Sequence, residues 1–108
     1  MGGMNKNVLQ GISIFSTTDP RKWTIEELVN FVERLLTNNY TNNNSSELMR
    51  ISQSLRNQDV DGDVFLMLTE EELTDTLNIS LGPALKLKNA IIMLRQRVIA
   101  IDNAKRQS

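Results

Sequence analysis

The 108-residue chain contains no cysteine and no histidine, two prolines, and few aromatics. Without cysteine there is no disulfide framework, no thiolate metal site and no cysteine nucleophile. Without histidine the commonest general base, the commonest metal ligand and any Ser-His-Asp triad are gone. No apolar run approaches the roughly 20 residues of a membrane-spanning helix. No glycine-rich phosphate loop is present. The start, Met1-Gly2-Gly3-Met4-Asn5-Lys6, places Lys6 where N-myristoylation asks for Ser or Thr. These absences argue against an enzyme, imply no cofactor and no membrane association, and favour an intracellular binding module. They leave nucleus and cytoplasm open.

What is present in quantity is charge, unevenly spread. The net charge is −1, but Asp59, Asp61, Asp63, Glu70, Glu71, Glu72 and Asp75 follow one another with no base between them. From Thr76 onward come Lys86, Lys88, Arg95, Arg97, Lys105 and Arg106 against Asp102 alone. Solvated faces are the usual fate of such runs. The sharper reading is a molecule with two poles of opposite sign, able to attract its own copies end to end. The spacing of Asp59, Asp61, Asp63 and Glu70 imitates an EF-hand loop. The position that needs glycine for the sharp turn holds Val64, however, and Val64-Phe65-Leu66-Met67-Leu68 is apolar. A calcium loop is therefore rejected and no metal site is assigned.

Residues 1–22 carry the apolar residues Val8, Leu9, Ile12, Ile14 and Phe15 without a clear period. They read as an N-terminal arm, partly flexible. Trp23-Thr24-Ile25-Glu26-Glu27-Leu28 is a helix start. Thr24 and Glu27 form a capping box and Trp23 with Leu28 a hydrophobic staple. Ile25, Leu28, Val29, Val32, Leu35 and Leu36 mark one helical face. The Asn-rich stretch from Asn38 to Asn44 reads as a loop. A second helix is predicted from Ser46-Glu47 to about Asn57, with Leu48, Ile51 and Leu55 inward. Asp61 is predicted to cap a short third helix. Thr69 and Glu72 repeat the capping box, with Leu68 and Leu73 as the staple, to start a fourth helix ending near Leu77-Asn78. Leu81-Gly82-Pro83 opens the last helix, with proline in the first turn where its missing N–H costs nothing. Ala84, Leu87, Ile91, Leu94, Val98 and Ile101 form its inward row. The fold class is all-α: five helices with a long C-terminal one. The domain is expected at 23–98, followed by a helix extension or frayed tail at 99–108.

The ordered set of Trp23, Asp61-Gly62, Leu66-x-Leu68-Thr69-x-Glu71 and Leu81-Gly82 resembles the sterile alpha motif (SAM) domain. The string Leu81-Gly82-Pro83-Ala84-Leu85-Lys86 is similar to the last-helix start in SAM domains of Polycomb-group chromatin proteins. The resemblance implies a five-helix bundle. It also implies two interaction surfaces for pairing head to tail with itself or with another SAM domain: the middle of the domain and the start of the last helix. Carried onto this sequence, the acidic mid-domain surface falls on Asp63, Glu71 and Asp75. The last-helix surface falls on Gly82, Pro83, Ala84, Leu85, Lys86 and Lys88. Gly82 and Ala84 permit close backbone approach at the positive end of a helix, and Lys86 adds formal charge there. Leu85 lies off the inward row, as an interface centre should; its alternative fate is partial burial against the N-terminal arm. Because the two patches differ, such a contact either closes a ring or runs on as a filament.

Two other readings are weaker. An RNA-hairpin-binding SAM domain would use Lys86, Lys88, Arg95 and Arg97. Yet Pro83-Ala84-Leu85 is apolar, the chain is acidic overall, and no aromatic is interleaved with the bases for stacking. A coiled coil along the row Ala84 to Ile101 is shorter than that assignment requires.

Overall fold

The computed structural model describes residues 18–39 and 45–107. The apolar patch of the expected arm, Val8 to Phe15, and most of the Asn-rich loop lie outside these described residues. A short 3₁₀ turn at Pro20–Lys22 leads into five helices: α1, Ile25–Asn39; α2, Ser45–Asn57; α3, Gly62–Phe65; α4, Glu72–Thr76; and α5, Leu81–Gln107. The described residues form no strand.

Local chemistry starts most of these elements. Glu27 N–H donates to Thr24 Oγ1 (3.2 Å) and Thr24 N–H to Glu27 Oε1 (2.9 Å), closing the predicted box ahead of α1. The same reciprocal pair joins Thr69 and Glu72, at 3.0 and 3.2 Å. Asp61 accepts from Val64 N–H (3.0 Å) and caps α3. These bonds satisfy donors that a helix start leaves without intrahelical partners.

Asp59 has a different task. It takes the left-handed conformation (φ 54°), while Val60 N–H donates to Leu55 O and Asp59 N–H to Arg56 O. This is a Schellman ending for α2, and it folds Val60 back into the core. Asn78 is the equivalent after α4 (φ 55°). There the ending is wider by one residue, because Glu72–Thr76 is wound as a π-helix. Leu77 N–H reaches Glu72 O, and Ile79 N–H reaches Leu73 O. The extra residue in the turn lets Leu73, Leu77 and Ile79 all enter the core, which periodicity at 3.6 does not anticipate.

The core is one cluster. Trp23, Leu28, Val29, Val32 and Leu36 meet Ile51, Leu55, Val60, Phe65 and Leu66, then Leu73, Leu77 and Ile79, and finally Ala84, Leu87, Ile91 and Leu94 from α5. Trp23 tilts against Phe31 at 5.1 Å between ring centroids, and its indole N–H donates to Thr18 Oγ1 (2.8 Å). Ser52 is the buried polar residue among these; its hydroxyl donates to Glu33 Oε2 at 2.8 Å. Gly62 lies under the 3₁₀ turn. Its N–H donates to Trp23 O (3.0 Å), and a Cβ there would run into the Pro20 carbonyl oxygen and come within 2.9 Å of Trp23 Cβ.

The segment expected as a helix extension or frayed tail is helical through Gln107. Arg21 anchors it to the start of the domain: Nη2 meets Asp19 Oδ2 at 2.8 Å and Asp102 Oδ1 at 3.0 Å. The hydrogen bond from Arg21 holds the Asp19 carboxyl below its ordinary pKa, and the bonds to Asp19 and Asp102 raise that of Arg21.

Candidate protein-interaction surfaces

The acid run divides by what each side chain does. Asp59 ends α2, Asp61 caps α3 and Glu72 closes a capping box. Glu70 Oε1 pairs with Lys88 Nζ at 3.0 Å. Asp63, Glu71 and Asp75 are exposed and enter no ion pair among the described residues. They sit on the first turn of α3, just ahead of α4, and on α4.

The start of α5 is held by the first turns of α2. Ser80 hydroxyl donates to Glu47 Oε2 (3.1 Å), and Arg50 joins Glu47 Oε1 (2.7 Å) to Asn78 O (3.3 Å). Arg50 keeps the Glu47 carboxyl below its ordinary pKa, with a smaller contribution from Ser80. This network fastens the loop before α5 to the first turn of α2. Of the residues assigned to this surface, Pro83 and Ala84 are buried within the chain itself. Ala84 heads the inward row of α5 and joins the core cluster. Gly82 and Lys88 are exposed and Lys86 is half-buried. Leu81 and Leu85 are the apolar part, 61% and 41% exposed.

The Lys88–Glu70 pair shows that the two patches touch at one edge. Lys88 is thus engaged within its own domain, as is Arg95, whose Nε donates to Leu66 O at 2.7 Å. The sequence reading of two separated poles missed both contacts; they join residues 18 and 29 positions apart, beyond any local spacing rule.

Exposed acids on one surface and an exposed leucine pair at a helix start on another suit protein recognition, and comparison with known proteins supplies the family. The sequence pattern described as the SAM-like domain matches residues 4–92. The chain belongs to the SAM-like domain family. This SAM-like domain is 35% identical over 89 residues to Polyhomeotic-like protein 1 of Mus musculus, covering 82% of this chain and 8% of that protein. It is 38% identical over 81 residues to Polyhomeotic-like protein 2 of Xenopus laevis, covering 75% and 21%. Lethal(3)malignant brain tumor-like protein 1 of Mus musculus is 34% identical over 88 residues, covering 82% and 9%. The chain therefore spans only a small part of the length of these relatives. Among solved structures, it is similar to the crystal structure of the Scm-SAM and Sfmbt-SAM heterodimer, with a TM-score of 0.56 and 26% identity over 71% of this chain and 87% of that one.

Proposed function

We propose that this domain is a protein-interaction module that pairs head to tail with a second SAM domain, either another copy of itself or a different chain. The acids Asp63, Glu71 and Asp75 form one side, and Gly82, Leu85, Lys86 and Lys88 the other, seated on buried Pro83 and Ala84. The observation that carries this reading is Leu85. It stands 41% exposed one residue past a fully buried alanine, on a helix start that the Glu47–Arg50–Ser80 network holds in place. A partner covering Leu85 removes apolar surface from water, and its carboxylates meet the positive helix end and Lys86. The similarity to a heterodimer of two SAM domains supports pairing with a second SAM domain. Assembly in this manner would make the chain an oligomerisation unit or scaffold within a larger regulator, with no catalytic role. The likeness to Polyhomeotic-like proteins favours a nuclear, chromatin-associated setting.

Sedimentation velocity across a concentration series tests the homotypic case. Growth of the sedimentation coefficient with concentration, reversed by salt because exposed charges are screened, is the expected result. A monomer at every concentration in low salt overturns self-pairing; a different SAM domain that then binds through the same two surfaces would retain the heterotypic case.

A further inference from the structure

The side of α5 away from the core is an uncharged strip between two cationic rims. At about 3.6 residues per turn, Lys88 and Arg95 fall along one edge, and Lys86 and Arg97 along the other. Between them lie Asn89, Ile92, Met93, Gln96, Ile99 and Ala100, all exposed. Ile92, Met93 and Ile99 are 45%, 67% and 60% exposed. Apolar side chains scattered singly over a surface need no explanation, whereas a group of them on one side of one helix marks an interaction site. The strip belongs to neither head-to-tail surface. From Met93 onward it also lies past residue 92, where the family pattern ends.

The helix is fixed where it carries the strip. Arg95 Nε donates to Leu66 O at 2.7 Å, Lys88 pairs with Glu70 at 3.0 Å, and Arg21 joins Asp19 to Asp102, one turn beyond Ile99. A surface ordered in advance loses little entropy on binding.

The rims select the occupant. No acid stands between Thr76 and Ile101. Glu70 offsets Lys88, but Arg95 meets a backbone carbonyl, and Arg97 enters no ion pair among the described residues. A second copy laid strip against strip brings the same cations, so like charges meet. Residues 1–17 carry Lys6 as their one charge and no acid. Both rims are answered by a helix from another protein, apolar on one side and acidic along both flanks. From Asn89 to Ala100 the strip is about 16 Å long, roughly three helical turns. Ile92 and Ile99 stand two turns apart, the interval at which a second helix repeats its apolar side.

We propose that the outer side of α5 from Asn89 to Ala100 docks an acidic amphipathic helix of a partner protein. The partner's apolar residues cover Ile92, Met93 and Ile99, and its carboxylates meet Arg95 and Arg97. This docking does not rest on head-to-tail pairing.

Fluorescence anisotropy with synthetic peptides tests it. The probe is a peptide of three heptads with leucine at the a and d positions and glutamate at e and g; its control carries lysine at e and g. The full chain carries Asp63→Lys and Leu85→Gln, so that both head-to-tail surfaces are altered and the strip is not. The glutamate peptide should bind at least about tenfold more tightly than the lysine peptide, and less tightly as salt is added. Adding Ile92→Gln and Ile99→Gln, both at exposed positions, should weaken it at least about tenfold, because the apolar burial is lost. Equal affinity for the two peptides, or affinity that the two glutamines leave unchanged, overturns the proposal. A dimer of the Asp63→Lys, Leu85→Gln chain that the two glutamines abolish also overturns it, by assigning the strip to a second copy. Binding to phosphatidylserine vesicles in place of the glutamate peptide overturns it by assigning the strip to a membrane surface. Head-to-tail pairing is read separately, from sedimentation of the wild-type chain, so either reading can fail without the other.

Discussion

Replacing Gly62 by alanine should destabilise the domain, although on helical propensity alone it should do the opposite. Alanine is favoured over glycine in a helix by about 1 kcal/mol, and it restricts the unfolded chain more. Gly62 has no positive φ, so backbone conformation does not demand glycine. The demand comes from packing. A Cβ would meet the Pro20 carbonyl oxygen, which is backbone, and Trp23 Cβ at 2.9 Å. Neither can swing aside as the end of a flexible side chain could. Pro20 and Trp23 are both buried, and the Gly62 N–H bond to Trp23 O holds the surfaces at 3.0 Å. Overpacking of this kind costs about 1–3 kcal/mol, and separating the two surfaces also strains a hydrogen bond contributing about 1 kcal/mol. For a domain of this size the Tm should fall by roughly 5–20 °C, read by far-UV circular dichroism. Gly82→Ala provides the contrast: that glycine is exposed, and its replacement should leave Tm unchanged or raise it. An unchanged or higher Tm for Gly62→Ala would refute the packing argument.

Asp59→Gly should raise stability by a few tenths to about 1 kcal/mol, and Asp59→Ala should lower it by about 1 kcal/mol, because the site is left-handed; urea midpoints that move together would contradict this. Lys88→Gln breaks an ion pair whose members are 47% and 42% exposed and should change stability by less than about 1 kcal/mol; a larger change in the urea midpoint would show the pair to be structural. Acid should weaken the fold through Asp19. Its folded pKa lies below the ordinary 3.8 because Arg21 hydrogen-bonds it, so the unfolded chain takes up the proton first as pH falls. The stabilisation is complete above about pH 5 and is lost as pH falls through the lowered folded value. Glu26, held down by Arg56, acts in the same direction. Arg21→Gln should therefore show a shallower loss of Tm below about pH 4 than wild type, and an identical acid slope would contradict the assignment.

Features confined to a few neighbouring residues were legible in the sequence. Both capping boxes, the Asp61 cap, the proline opening of α5 and its inward row rest on spacings of three and four. Features made by tertiary demand were not. Asp59 and Asn78 are left-handed because Val60 and Ile79 must return to the core. Glu72–Thr76 widens to a π-helix because Leu73, Leu77 and Ile79 all bury. The continuation of α5 through Gln107 depends in part on Arg21, 81 residues from Asp102. In the candidate site, Leu85 was legible as exposed because it falls off the inward row. Pro83 and Ala84 were drawn into the same surface by their place in the string, although Ala84 also heads the inward row. The partners of Glu70 and Lys88 could not be read, since either charge reads equally well as solvated.

If two different surfaces on each molecule meet in turn, mixing two variants, each altered on one surface, reveals it. Leu85→Glu alters the last-helix surface at an exposed position, and Asp63→Lys reverses charge on the acidic one. Each variant alone should sediment as a monomer at concentrations where wild type assembles. Mixed in equal amounts, they should form a one-to-one dimer and stop, because each keeps the surface that the other lacks. Either variant assembling alone as wild type does, or a mixture that stays monomeric, would contradict head-to-tail pairing between copies of this chain.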